Sequence, residues 1–255
     1  MTVAIRSVRL IGIGAGNPHS LTLRGVRALR DVDYFFVADK RRPDGSPDPL
    51  AAARDALLRH YLPEGYRLIS VADPARNRDG PQDYQSAVEQ WHAARVPAYE
   101  QVLLTEPGTA GFLVWGDPGL YDSTIRIIDR IRDRGSVDLS VEVVPGVSSI
   151  AELAAAHRIV LHEIGQPVHI TTGRRLAEDV STGQTNIVVM LDAGLSAAAL
   201  PGAWKIWWAA NLGSEYEMLI SGELSQVASQ IEQAKQRIRR ACGWVMDVYL
   251  LRRLD

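Results

Sequence analysis

Four consecutive residues, Gly116-Asp117-Pro118-Gly119, carry the first chemical signal in this sequence. Each favours a turn for its own steric reason. Together they stop the apolar run Phe112-Leu113-Val114-Trp115, which shows no polar alternation and so predicts a strand buried on both faces. Asp122, Ser123 and Thr124 can then cap a helix whose Ile125, Ile128 and Ile131 fall on one face. A strand, a glycine-rich turn and a helix form the unit with which α/β proteins bind ligands at the carboxyl edge of a sheet. It is also an ordinary connection. The glycines let backbone approach a ligand closely. Asp117 reads either as a ligand for an ammonium or a ribose, or as the residue that closes the turn. Tyr121 lines a pocket or belongs to the core.

A second glycine cluster follows the predicted strand at residues 8–13. Gly12, Gly14 and Gly16 precede Asn17-Pro18-His19, and a helix starts near Leu21. A dinucleotide-binding enzyme also begins this way. Here, however, the glycines run G-x-G-x-G, and Asn17 stands where the third fingerprint glycine belongs. Pro18 delays the helix, so no helix N-terminus lies under a pyrophosphate. Asp33 sits at a plausible distance for a ribose contact, a weak coincidence by itself. A nicotinamide-dependent oxidoreductase is a distant alternative that rests on these glycines alone.

The elements that must position both turns alternate along the first half. Strands are predicted at 8–13, 34–38, 67–72, 112–115 and 141–144, with helices between them and a helical run at 84–104 broken by Pro97. That alternation predicts a parallel α/β domain over residues 1–160. Beyond it the pattern changes to strands at 168–172, 186–191, 205–211, 217–221 and 244–251. One clear helix carries Leu224, Val227, Ile231, Ala234 and Ile238 on a stripe. Residues 161–255 therefore read as a mixed α+β domain, residues 157–167 as the hinge, and a cleft between the halves as the favoured ligand site.

Composition narrows the classes. The chain has 46% apolar and 23% charged residues and a net charge of −2, which gives no electrostatic case for nucleic acid. No apolar run approaches membrane-spanning length, and the start lacks a signal peptide's regions. Cys242 is the only cysteine and the six histidines are scattered, so neither a disulfide framework nor a metal site is expected. The expectation is a cytoplasmic, metal-free globular protein.

The strings IGIGAGNPHSLT, WGDPGLYDS, VVPGVSS, HITTGRR and NLGSEYEMLISGEL, in this order, resemble the tetrapyrrole (precorrin) methylase family over essentially the whole chain. The resemblance implies a two-domain α/β fold with the active site between the domains. It also implies a homodimer and a methyl transfer from S-adenosylmethionine, with S-adenosylhomocysteine as product. FFVADK, WGDPGLYDSTIRI and HRIVLHEIGQPVHITTGRR point within the family to a cobalamin-pathway C-methylation of precorrin-5 with release of acetate; another precorrin is the rival substrate. Carried over by motif, the cofactor residues are Gly116, Asp117, Leu120 and Tyr121, then Ser148 and Ser149, then Met190 or Leu191, and Leu212 or Gly213. One of the two serines is equally placed to cap the helix that follows. Where relatives carry Met-Gly, this chain has Met190-Leu191-Asp192. Their Asn-Gly-Thr has become Asn211-Leu212-Gly213-Ser214. The turn with Gly14, Gly16 and Pro18 falls on the tetrapyrrole side in the family.

Methyl transfer from a sulfonium is an in-line displacement, so alignment matters more than acid–base groups. The implied substrate is fringed with carboxylates, which arginine forks match bidentately. Lys40, Arg41, Arg42, Arg174 and Arg175 are the candidate cations, and a solvated charged face is the bland alternative for each. Deacetylation needs hydroxide or activated water at the acetyl carbonyl. His19, Asp39, His157 and Glu215 are the candidate bases, although a lone histidine is more often structural.

Overall fold

The computed structural model describes residues 5–39, 48–74 and 84–254. The chain forms two compact units. The first comprises Met1–Gly14 and Pro18–Val147, the second Ala15–Asn17 and Ser148–Asp255.

In the first unit the strands are β1 (Ile5–Gly12), β2 (Tyr34–Asp39), β3 (Leu68–Ala72), β4 (Thr109–Val114) and β5 (Asp138–Val144). They form one fully parallel sheet in the order β3-β2-β4-β1-β5. Helices α1 (Leu23–Arg30) and α2 (Pro49–Tyr61) cover one face, and α3 (Tyr84–Thr105) and α4 (Thr124–Arg134) the other. Ile11, Phe35 and Leu113 enter the core with Leu29 and Leu57, while their neighbours Leu10, Phe36 and Phe112 enter the opposite core with Leu103 and Ile128. Alternate side chains point to opposite faces and both faces are buried, which is why these strands read as unbroken apolar runs. Thr22 and Asp48 cap α1 and α2 by accepting from Gly25 N and Leu50 N, each at 3.0 Å.

Contrary to the expected break, α3 runs through Pro97. Both Pro97 and Ala93, whose carbonyl loses its usual amide donor, are exposed, so water meets that carbonyl and the helix continues.

The second unit holds α5 (Ser149–His157), β6 (His169–Thr172), α6 (Leu176–Ser181), β7 (Asn186–Met190), β8 (Ala203–Ala210), β9 (Met218–Glu223), α7 (Leu224–Cys242) and β10 (Asp247–Leu254). Its sheet, ordered β6-β7-β10-β8-β9, is mixed: β6 and β7 are parallel and the other pairs antiparallel. The expected combination of a parallel α/β half and a mixed half is the observed one. The division, however, falls between Val147 and Ser148 rather than at residue 160, because α5 packs on β8 and β10. Nor is the segment after α5 a free hinge. Asn186 Nδ2 donates to the Leu161 and Pro167 carbonyls at 3.0 Å, and Arg252 donates to those of Val160 and Leu161 at 3.2 Å.

Candidate functional site

In the first unit, three glycines converge where β4, β1 and β5 end side by side. A Cβ added at Gly12 would lie 2.5 Å from Gly146 N and 2.8 Å from Gly116 O, and one at Gly146 would overlap Gly116 O. Gly14 and Gly116 exchange backbone bonds, Gly116 N to Gly14 O at 2.8 Å and Gly14 N to Gly116 O at 3.3 Å. Gly116 itself has φ 63, in the left-handed region that glycine alone adopts without strain. A side chain at Gly12 or Gly146 would collide with this backbone, so the strand ends meet main chain to main chain.

Asp117 completes the junction. Its Oδ1 accepts from Gly119 N at 2.8 Å and its Oδ2 from Gly146 N at 3.0 Å, so both oxygens are engaged and the residue closes the turn. Leu120 N donates to Asp117 O at 3.1 Å. Tyr121 then adopts φ 54 while 44% exposed. A bulky residue in this region costs roughly 1–3 kcal/mol and persists where the surroundings impose it, often at a ligand site. Ser123 is the N-cap of α4 without a side-chain bond, and Asp122 just before it accepts from Thr124 N through Oδ1 at 2.6 Å.

The second unit shows the same strain. Leu191, directly after β7, has φ 54 and is 64% exposed, and Asn211, directly after β8, has φ 49 and is buried. Leu191 is held by its neighbour. Asp192 is buried and accepts from Ser196 N at 2.7 Å, Ser196 Oγ at 2.9 Å and Tyr249 Oη at 2.6 Å. Lys235 Nζ donates to the Asp192 carbonyl at 2.9 Å, to the Gly194 carbonyl, and to Asp247 Oδ2 at 2.7 Å. Trp208 Nε1 also donates to Asp247 Oδ2, at 2.9 Å. Burial raises the Asp247 carboxyl above its ordinary value against the pull of Lys235. Burial and the Asp192 charge raise the Tyr249 phenol as well. This network explains the departure at Met190-Leu191-Asp192: the acid is an anchor, and Gly173 faces it because a Cβ there would lie 2.6 Å from Asp192 Cγ.

Of the remaining cofactor candidates, Ser148 caps α5, its Oγ accepting from Ala151 N at 3.3 Å, and Ser149 begins that helix. Met190 ends β7, and its carbonyl accepts from Gly173 N at 3.2 Å. Leu212 is buried, and Gly213, at φ 74, donates to Glu217 at 2.7 Å. Residues 15–17 belong with this loop: a Cβ at Gly16 would lie 2.7 Å from Leu212 O, and one at Gly213 would lie 2.5 Å from Asn17 N. Gly14 stays with the first unit at φ 77, and Pro18 O accepts from Tyr61 Oη at 2.6 Å.

The candidate cations and bases separate. Lys40, Arg41 and Arg42 lie outside the described residues. Arg174 and Arg175 are exposed, and Arg175 pairs with Glu178 at 3.0 Å on α6. His157 Nε2 lies 3.0 Å from Trp208 O; a carbonyl only accepts, so Nε2 carries the proton and the ring ties α5 to β8. His19 is exposed, its ring 5.8 Å from that of His60, and Asp39 ends β2. Glu215 is exposed, and its charge raises the Tyr216 phenol.

Sequence reading passed over Arg54. It shares a helical stripe with Leu50, Ala53 and Leu57, and a cation on an inward stripe was the available signal. Among the described residues there is no group of three or more metal-ligating side chains and no helix long and apolar enough to cross a membrane.

The tetrapyrrole (corrin/porphyrin) methylases match this chain over residues 7–228. The chain belongs to that family. A precorrin-6A synthase [deacetylating] from Sinorhizobium sp is 40% identical over 254 residues, 98% of this chain and 96% of that protein. The crystal structure of a cobalamin synthesis related protein (CobF) from Corynebacterium diphtheriae superposes with a TM-score of 0.81 at 35% identity, covering 99% of this chain and 100% of that one. A uroporphyrin-III C-methyltransferase from Thermus thermophilus, complexed with S-adenosylhomocysteine, shares the fold at a TM-score of 0.55 and 17% identity. As a tetrapyrrole methylase, the chain is a methyltransferase.

Proposed function

We propose that the protein methylates precorrin-5 at carbon with S-adenosylmethionine and releases acetate, forming precorrin-6A. The observation that carries this reading is the likeness to the Sinorhizobium enzyme, which runs nearly end to end in both chains. Parts matching the family's cofactor motifs are built as backbone surfaces: the glycine junction with strained Tyr121 in one unit, and the anchored turn at Leu191 in the other. Turns of this kind let a ligand approach the main chain closely, which suits a nucleoside cofactor.

The cofactor supplies an electrophilic methyl group. Gly116, Leu120 and Tyr121 bind and orient it in this reading through backbone, as do Ser149, Met190, Leu191, Leu212 and Gly213. Asp117 and Ser148 also hold the loops, through side-chain oxygens that accept from the Gly119, Gly146 and Ala151 amides. Holding donor and acceptor carbon in line supplies most of the rate. For deacetylation, water adds to the acetyl carbonyl, the bond from that carbon to the macrocycle breaks, and its electron pair stays with the ring. His19, Asp39 and Glu215 remain candidates to take the water proton; His157 is set aside as a structural tie. Arg174 and Arg175 remain candidate carboxylate contacts, and a homodimer and a cytoplasmic location complete the reading.

Mass spectrometry of the product from purified precorrin-5 and S-adenosylmethionine, with acetate measured in parallel, tests the proposal. One methyl gained and one acetate released per turnover is the expected result. Methylated product without acetate assigns the protein to another precorrin.

A further inference from the structure

Arg54, half-buried on α2, donates to backbone carbonyls of the first unit and to no described carboxylate. β2 pairs with β4 only through Tyr34↔Ala110 and Phe35↔Gly111, so the two strands part before their carboxyl ends. Val114 O is taken by Ile13 N on the β1 side, and strand alternation turns Leu113 O toward the gap. Arg54 Nε fills that position at 3.2 Å, and Nη1 donates to Leu50 O at 3.4 Å. The guanidinium lies 5.4 Å from the centre of the Trp115 ring, just before the Gly116 turn. Among the described residues nothing accepts from Nη2, and no carboxylate is within ion-pair distance.

The neighbouring acids are occupied. Asp48 caps α2 through Leu50 N, and Asp122 accepts from Thr124 N at the start of α4. Arg95 provides the contrast: buried more deeply than the half-buried Arg54, it holds Asp73 at 2.5 Å and stacks on Trp91 at 3.7 Å. A desolvated guanidinium without a counter-ion is costly, and here desolvation pulls its pKa below the ordinary arginine value. Its free edge has the fork geometry that carboxylates match.

We propose that Arg54 binds a peripheral carboxylate of the substrate, an acetate or propionate arm of the tetrapyrrole, with the Trp115 ring as the apolar wall beside it. The inference rests on the substrate class proposed above. It assigns recognition to a residue inside the first unit that was not among the candidate cations Lys40, Arg41, Arg42, Arg174 and Arg175; the last two belong to the second unit.

The test uses the full chain and uroporphyrin I, a stable tetrapyrrole with eight carboxylates. Arg54→Gln is expected to weaken uroporphyrin binding at least tenfold and Arg54→Lys less, because lysine keeps the charge and loses the fork. Affinity for S-adenosylhomocysteine should change less than twofold, and the KM for precorrin-5 should rise with kcat retained. If Arg54→Gln does not fold, peptide mapping of wild type after phenylglyoxal treatment decides: Arg54 should be protected by uroporphyrin and not by S-adenosylhomocysteine. Wild-type affinity and KM in Arg54→Gln, or no protection, overturns the inference and leaves Arg54 as a clip on the Leu113 carbonyl. Failure of wild type both to bind uroporphyrin and to turn over precorrin-5 would instead overturn the functional reading.

Discussion

The two units hold a loop at the end of a strand by opposite means. In the first, Gly12, Gly116 and Gly146 bring three strand ends into backbone contact, and a single half-buried carboxylate, Asp117, ties them. In the second, a buried lysine and two buried acids join the turn after β7 to α7 and β10. The first method needs the absence of side chains at Gly12 and Gly146 and uses one, that of Asp117; the second depends on several. Glycine contacts cost little to desolvate and tolerate no added atom. A charge network tolerates changes of shape and fails when one partner leaves.

Four substitutions can break or sharpen that contrast. The largest effect is expected for Lys235→Met, which strands Asp247, a side chain only 5% exposed. Loss of one partner of a buried pair costs about 3–5 kcal/mol. Chemical denaturation should show that loss, and Lys235→Met/Asp247→Leu should regain much of it. If the double variant is as unstable as the single one, the pair's charge is not what holds the turn.

Gly146→Ala comes next. Its Cβ would overlap the Gly116 carbonyl, and overpacking of this kind costs about 1–3 kcal/mol. The loss should appear in the same denaturation experiment, together with weaker S-adenosylhomocysteine binding by calorimetry. An unperturbed variant would show that the junction can open. The φ of Gly116 itself makes Gly116→Val a poor probe, since strain and loss of binding would appear together. Asp117→Asn should cost about 1 kcal/mol, because one amide loses a charged acceptor in a partly exposed site.

The smallest effect is a difference in acid response. Glu100 is held below its ordinary value by the Ser136 hydroxyl and by Arg134. A depressed carboxyl contributes stability above its unfolded pKa, about 4.3, and loses it as pH falls through the folded value. Glu100→Gln should therefore flatten the loss of stability below about pH 4. Asp247 is raised, so its sign is reversed: its contribution is full below the unfolded value, about 3.9, and is lost as pH rises through the folded one. An unchanged acid limb in Glu100→Gln would remove Glu100 from the account.

The same contrast explains what could be read before the structure. All ten strands overlap the segments predicted for them, and those buried on both faces, β4 and β7 above all, left the clearest local mark. The Gly116-Asp117-Pro118-Gly119 turn was legible for the same reason: each residue type has its own steric preference. Pro97 misled because its effect depends on which face of α3 meets water. Asp192 gave no signal of its role, since Lys235 and Tyr249 lie 43 and 57 residues away along the chain. The unit boundary was equally hidden, being set by where α5 packs. Tyr121 and Leu191 are unremarkable letters whose importance lies in dihedral angles that no composition shows.

The place of β10 has a consequence for how the molecule is made. It lies in the middle of its sheet, between β7 and β8, and supplies Asp247 and Tyr249 to the buried network. A ribosome delivers β7 and β8 well before it, and until residues 247–254 emerge those strands have no central partner. The first sheet has all five of its strands once residue 144 is out. Synthesis thus releases a finished parallel half while the other half waits, its lysine without its acid, for β10.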